Sequence, residues 1–120
     1  MDGVILTTGT GGSSASRFTA TILAGDIEPL DIYEASPCPS IKWIVSIHNI
    51  ATDDVTSLEV HSAHNFNGVV CFNEASILNI GDKIAYDITT VAGPNANEIL
   101  LAVENSEVTD TIEVCATRIF

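Results

Sequence analysis

Basic residues are scarce in this sequence. Its 120 residues contain 4 Lys and Arg against 16 Asp and Glu, which gives a formal net charge of −12 at pH 7. A surface of that sign repels phosphate backbones and anionic lipid headgroups, so we expect neither nucleic acid nor a membrane surface as a partner. Because 46% of the residues are apolar and only 17% are charged, the chain is expected to fold rather than remain disordered.

Long apolar runs are also missing. The N-terminal stretch has an acid at position 2 and contains only the short apolar run Val4, Ile5 and Leu6. It therefore lacks the basic and the apolar parts of a signal peptide. No segment approaches the roughly 18 apolar residues of a transmembrane helix. These features predict a soluble protein that folds in, or is released from, a reducing cytoplasm.

Cysteine is rare and odd in number. The chain has three, Cys38, Cys71 and Cys115, at wide spacing. A disulfide framework in a small secreted domain normally shows an even and denser set. We therefore expect three free, buried thiols.

Alternation of apolar and polar residues with a period of two is the main pattern. It is clearest in the stretches "IKWIVSIH", "DKIAYDIT" and "DTIEVCATR". The side chains predicted to point inward from these strands are Ile41, Trp43, Val45, Ile47, Ile84, Tyr86, Ile88, Ile112, Val114 and Ala116. Shorter candidates begin near residues 4, 17, 57, 68 and 98, so the total is about eight strands.

Segments rich in Gly, Pro, Asn and Asp separate these strands and are predicted to be turns. They include "GDIEPLD", residues 25–31, while "EASILNIG", residues 74–81, could hold a single helical turn. No other segment has apolar residues at helical spacing. We therefore predict an all-β fold, an antiparallel β-sandwich or jelly-roll-like domain that spans residues 17–120.

Residues 1–16 have a different composition. Positions 7–16 consist of Gly, Ser, Thr and one Ala, which is typical of a flexible arm or linker. The apolar run ahead of them is unusual for a free tail, so we expect it to dock on its own sheet or on a neighbouring subunit. The residues predicted to form this partner interface are Val4, Ile5, Leu6 and Arg17.

The sequence contains no recognisable catalytic motif. The glycine-rich "GTGGSSAS" lacks the GK[ST] ending of a phosphate-binding loop, and no G-x-S-x-G is present. Cys71 follows two valines in mid-strand, where a thiol usually acts as a small core residue. The acidic turns permit calcium but match no calcium-binding loop. We expect no enzyme, no catalytic residue, no cofactor and no metal, with calcium at the acidic turns left open.

Two histidines lie three residues apart in "LEVHSAHNFNGVVCFNE", residues 58–74. In a strand such residues point to opposite faces, so His61 and His64 can converge on a metal only if the chain turns between them. We interpret the stretch as strand, turn and strand. His61 then ends the first strand, His64 lies in the turn, and both are polar residues at the rim of the sandwich.

Residues 43–120 resemble the small all-β structural proteins of tailed-bacteriophage virions. The resemblance is carried by Trp43 in its alternating strand, by "NIGDKIAYDI", and by the closing strands in "EILLAVENSEVTDTIEVCATRI". It implies a capsid decoration or cement protein, or a small tail or fibre component, located in the virion after assembly in the host cytoplasm. It also implies a homo-oligomer, commonly a trimer, that binds the major capsid protein or another virion protein through a terminal arm.

Two other functions stay open. An adhesin-type glycan-binding module on a tail or fibre would expose aromatic side chains. Trp43, Phe72 and Tyr86 are placed like core residues, so the remaining aromatic candidates are Phe18, Tyr33, Phe66 and Phe120. The third possibility is a metal-dependent enzyme that uses His61 and His64.

Overall fold

A computed structural model describes residues 17–119, which form eight β-strands and no helix. The strands are β1 (Arg17–Ile22), β2 (Ile27–Glu34), β3 (Ser40–Asn49), β4 (Val55–His64), β5 (Val70–Ile80), β6 (Tyr86–Ala92), β7 (Glu98–Asn105) and β8 (Ile112–Ile119). The predicted strand near residue 4 and the predicted arm, residues 1–16, lie outside the described residues.

The strands form two antiparallel sheets of unequal width. The first sheet has the order β1-β8-β3-β4-β5, and the second has the order β2-β7-β6. The pairs β1–β8 and β2–β7 bring the beginning and the end of the domain together in both sheets. This arrangement confirms the predicted all-β sandwich with about eight strands.

The core lies between the sheets and follows the predicted alternation. In β3 every second residue is buried, from Ile41 through Trp43 and Val45 to Ile47, and Trp43 is fully buried. β8 repeats this pattern with its own alternate residues buried. Two successive side chains of a strand point to opposite faces, so one face of each strand packs in the core and the other faces solvent.

The prediction that residues 25–31 form only a turn is wrong. Residues from Ile27 onward belong to β2, which pairs with β7 and buries Leu30 and Tyr33. Pro29 is compatible with this strand because β2 is at an edge of its sheet, and the register shifts between Pro29 and Asp31. The acids and the proline resemble a turn, but pairing with a strand about 70 residues away decides the structure.

The helical turn predicted within residues 74–81 is also wrong. These residues continue β5, which is interrupted by a bulge where Ser76 and Ile77 lie opposite the single residue Leu58. Ser76 has a φ of 56°, in the left-handed region that one extra residue in a strand often adopts. The bulge breaks the alternation of the sequence and so conceals the strand.

A buried ion pair connects the two sheets. Asp31 in β2 accepts hydrogen bonds from Arg118 Nε at 2.6 Å and from Arg118 Nη2 at 2.7 Å. The Trp43 indole N–H donates to the same carboxylate at 2.9 Å. The Arg118 guanidinium also lies over the rings of Phe18 and Tyr33, at 5.3 and 5.5 Å from their centres. One carboxylate thereby satisfies polar groups from β3 and β8 inside the apolar interior.

We expect Asp31→Ala to lower the free energy of unfolding by about 3 kcal/mol, because the Arg118 guanidinium and the Trp43 N–H lose their shared acceptor. Asp87→Ala removes an exposed acid from β6 and is the matched control, with an expected change of about 0.5 kcal/mol or less. Chemical denaturation followed by tryptophan fluorescence measures both. Equal, small losses in the two variants would show that the ion pair contributes no net stability.

Candidate interaction surface

Four strands form the edges of the two sheets, and β5 is the least protected of them. β1 is short and begins with Arg17, β2 carries Pro29 and a bulge, and β6 has 7 residues. β5 has 11 residues with neither proline nor a basic residue. Edge strands expose unpaired backbone N–H and C=O groups, which proteins usually protect with short strands, charges, prolines or bulges. On β5 the bulge at Ser76 and the single charge of Glu74 are the features of this kind.

The side chains of β5 are exposed as well as its edge. Every residue from Cys71 to Ile80 is exposed, and Leu78 and Ile80 retain 69% and 70% of their accessible surface. β5 is the last strand of the wider sheet, and Leu78 and Ile80 point to the outer face of that sheet, which the second sheet does not cover. A contact of 3.5 Å from the Tyr86 hydroxyl to Glu74 Oε1 links β5 to the opposite sheet.

The apolar residues at the end of β5 form a patch on the outer face of the sheet. Leu78 pairs with Ser57, and Ile80 pairs with the half-buried Val55. Directly opposite residues share a face, and Thr56, which lies between Val55 and Ser57, is fully buried and points inward. Leu78, Ile80 and Val55 therefore lie together on the side away from the core. We call these three residues the outer patch.

Charge is sparse on β5 although the chain is strongly acidic. Glu74 is its one charged residue, and the outer patch itself has none. Two acids lie just beyond the patch, where Asp54 Oδ1 accepts a hydrogen bond of 3.1 Å from the Asp82 backbone N–H. Gly81, between Ile80 and Asp82, has a φ of 80°, and a Cβ there would overlap the Asp54 carboxylate. The patch is thus apolar with an acidic margin.

The two neighbouring histidines do not form a site. Both belong to β4, where His61 is exposed and His64 is 4% exposed, on opposite faces of the strand. The predicted position of His64 in the turn is wrong, since it ends the strand and its Nδ1 accepts a hydrogen bond of 2.8 Å from the Phe66 N–H. Within residues 17–119 no three His, Cys, Asp or Glu side chains are grouped so that they could hold a metal ion.

The third histidine lies at a groove of about 530 Å³ on the outer face of β1, β8 and β3. His48 Nε2 is 2.8 Å from Asp53 Oδ1, and Nδ1 is 3.7 Å from Glu113 Oε1. Cys115 also lines the groove. A histidine that activates a thiol needs a nitrogen directed at the sulfur, whereas both nitrogens of His48 face carboxylates. The groove therefore does not present a nucleophile paired with a base.

The cysteines are free, as predicted, but the prediction that they are buried is wrong. Cys38 and Cys71 are exposed, and Cys115 is half-buried. Cys71 pairs with Ala63 on the outer face, so the two valines before it do not place it in the core. Phe72, also predicted to be a core residue, pairs with the buried Ser62 on the inner face, but it belongs to the edge strand and is 39% exposed.

The remaining predicted site residues are distributed as follows. Arg17 is exposed at the start of β1, where it pairs with Thr117. Val4, Ile5 and Leu6 lie outside the described residues. Of the aromatic candidates for a glycan platform, Tyr33 is 8% exposed and donates to the Cys38 carbonyl, Phe18 is half-buried, and Phe66 is 46% exposed. Burial of Tyr33 weakens the glycan-binding hypothesis.

The residues of the outer patch were not predicted from the sequence. A signal was available, because "ASILNI", residues 75–80, contains three large aliphatic residues and no charge in a chain with a net charge of −12. The sequence matches no protein-family model, and no curated protein is significantly similar to it. In the part of the chain that the structure describes, no helix has the length and apolarity needed to cross a membrane.

We expect the stability of the fold to fall as the pH rises above about 10. Burial raises the pKa of both Tyr33 and Tyr86 above the ordinary value of 10.0, and Glu74 adds to the effect at Tyr86. Because the folded chain holds these phenol protons more tightly, their contribution is complete below pH 10 and is lost as pH rises through the folded pKa values. Ultraviolet titration of tyrosinate measures this. Identical curves for folded and denatured protein would contradict it.

Proposed function

We propose that this protein is a non-enzymatic structural component of a bacteriophage virion, most concretely a decoration or cement protein that binds and stabilises the capsid shell. The observation that carries the proposal is the exposed, nearly uncharged β5 edge on an otherwise acidic sandwich. Exposed apolar patches and open sheet edges on a small domain are typical of contacts between proteins. The class of partner is the one that the resemblance to phage structural proteins implies.

The polar side chains of the sandwich support an assembly role over a catalytic one. The Asp31 carboxylate is occupied by Arg118 and Trp43, and both nitrogens of His48 face acids. The buried Ser62 and Thr90 hydroxyls bond to each other at 2.7 Å across the two sheets. These groups hold the fold together, so they are not free to act on a substrate.

The acidic surface also fits a protein that is present in many copies on a particle. A net charge of −12 on each chain gives decorated particles a strong negative potential, which keeps them apart in solution. Contacts between subunits of the same charge sign are least opposed in regions of low charge. The β5 edge is one such region, and residues 3–16, which contain no charged side chain, are another.

The β5 edge and the start of β1, which directly follows the uncharged segment, lie at different places on the domain. Arg17 follows the uncharged segment directly and begins β1, at the edge of the five-stranded sheet opposite to β5. The sheet places β1 and β5 four strand spacings apart, which is about 19 Å. We therefore propose two separate contacts, with the apolar residues Val4, Ile5 and Leu6 and the adjacent Arg17 binding the shell.

Binding of the purified full-length chain to undecorated capsids of the phage that carries its gene tests this function. We expect saturable binding, visible in sedimentation with the particles and by electron microscopy as regular density on the shell. Asparagine at positions 4–6 is expected to weaken binding by about tenfold or more, because the apolar contact is lost, with little change in the unfolding midpoint.

The matched control places asparagine at Thr7, Thr8 and Thr10, which changes the same number of neighbouring residues without removing apolar surface. It is expected to bind like the unmodified chain. A chain that binds no capsid or tail component at any concentration would overturn the proposal. An equal loss of binding in both variants would show that the apolar residues are not the contact.

A further inference from the structure

We propose that the end of β5 pairs with β5 of a second copy of this chain, antiparallel and around a two-fold axis at Asn79. In this contact the partner of the β5 edge is a second copy of the chain. The inference rests on the assembly role proposed above. Shell binding and self-association are measured separately, so either one can fail alone.

The register of β5 determines which residues can meet. In antiparallel pairing, directly opposite residues share a face, so a two-fold axis has to bring outer-face residues opposite outer-face residues. An axis at Asn79 places Leu78 opposite Ile80 of the second copy, and Ile80 opposite its Leu78. The outer patches of the two copies then become one continuous apolar surface with Val55 at each end.

The bulge and the one charge of β5 lie outside this contact. With the axis at Asn79, Ser76 and Glu74 would lie opposite positions beyond the end of β5 in the second copy, so neither has to enter the ladder. A register centred further toward Val70 would bring the two Glu74 carboxylates together and would place the bulge within the paired region. Like charges opposite each other are unfavourable, and a bulge disrupts the ladder.

Electrostatic repulsion between two copies is weaker at the outer patch than at the other parts of this chain's surface. Two molecules with a charge of −12 repel each other, and the repulsion is smallest where both present uncharged residues. The outer patch fulfils this condition on both sides of a two-fold axis. The carboxylates of Asp54 and Asp82 lie at its margin in each copy, so salt should strengthen the dimer by screening them.

A two-fold contact is self-complementary and closes with two copies. The assembly built by β5 is therefore a dimer, with a sheet of ten strands that continues across the axis. This differs from the trimer that the resemblance implies. The β1 edges would lie at the two far ends of the shared sheet.

Light scattering and sedimentation over a dilution series from about 1 μM to 1 mM test the dimer in the absence of capsids. Leu78→Glu is expected to weaken the dimer by about a hundredfold. The two-fold contact contains the substituted residue twice, and the loss of each leucine contact weakens binding about tenfold. Val108→Glu is the matched control. It adds the same charge at an apolar residue that is 94% exposed in the loop between β7 and β8, so the dimer should persist.

A disulfide at the axis tests the register. Opposite Cα atoms in an antiparallel pair are about 4.5–5.5 Å apart, within the range that a disulfide spans. In the full chain with its three native cysteines changed to serine, Asn79→Cys is expected to cross-link two copies on mild oxidation. Asn73→Cys, on the same exposed strand but away from the axis, is expected to remain monomeric on denaturing gels.

Three results would overturn the β5 dimer. They are a monomer throughout the dilution series, a dimer that Leu78→Glu and Val108→Glu weaken equally, and cross-linking of Asn73→Cys but not of Asn79→Cys. Circular dichroism establishes that each variant is folded, and Ile80→Glu provides a second disruptive variant should Leu78→Glu fail to fold. Capsid binding by a strictly monomeric chain would leave the proposed function standing and reject the dimer.

Discussion

The packing of a three-stranded sheet against the inner face of a five-stranded sheet is the interaction on which the rest of this domain depends. The second sheet packs over the centre of the first, where Trp43 and its neighbours form the core. The ion pair between Asp31 and Arg118 holds the two sheets together at the side of β2. On the outer face of the wider sheet, Leu78 and Ile80 of β5 are not covered by any part of residues 17–119.

The distribution of charge distinguishes the exposed strand β5 from most of the remaining surface. Sixteen acids against four basic residues make contact between two copies of this chain unfavourable over most of its surface, so pairing between copies is least opposed in the regions without acids. The end of β5 combines low charge, large aliphatic side chains and an open backbone edge. This combination is typical of contacts between proteins, and the side chains of His48, His64 and Asp31 already have partners within the domain.

Local alternation was sufficient to predict the fold class but not every element. β3 and β8 alternate strictly, and their inward residues are those expected from the sequence. β2 was missed because Pro29 and its acids resemble a turn, while its partner strand is far away in the sequence. The end of β5 was missed because the bulge at Ser76 interrupts the period. Burial of Asp31 depends on Arg118, 87 positions away, which no local pattern contains.

Hydrogen–deuterium exchange of the backbone amides of β5 at two protein concentrations measures whether this edge pairs between copies. If the open edge of β5 is used for pairing between copies, exchange within residues 77–80 slows as the concentration rises, while the amides of the opposite edge strand β1 exchange at an unchanged rate. Rates in residues 77–80 that are the same at both concentrations, with the concentrated sample fully associated, would show that the chain associates through a different surface.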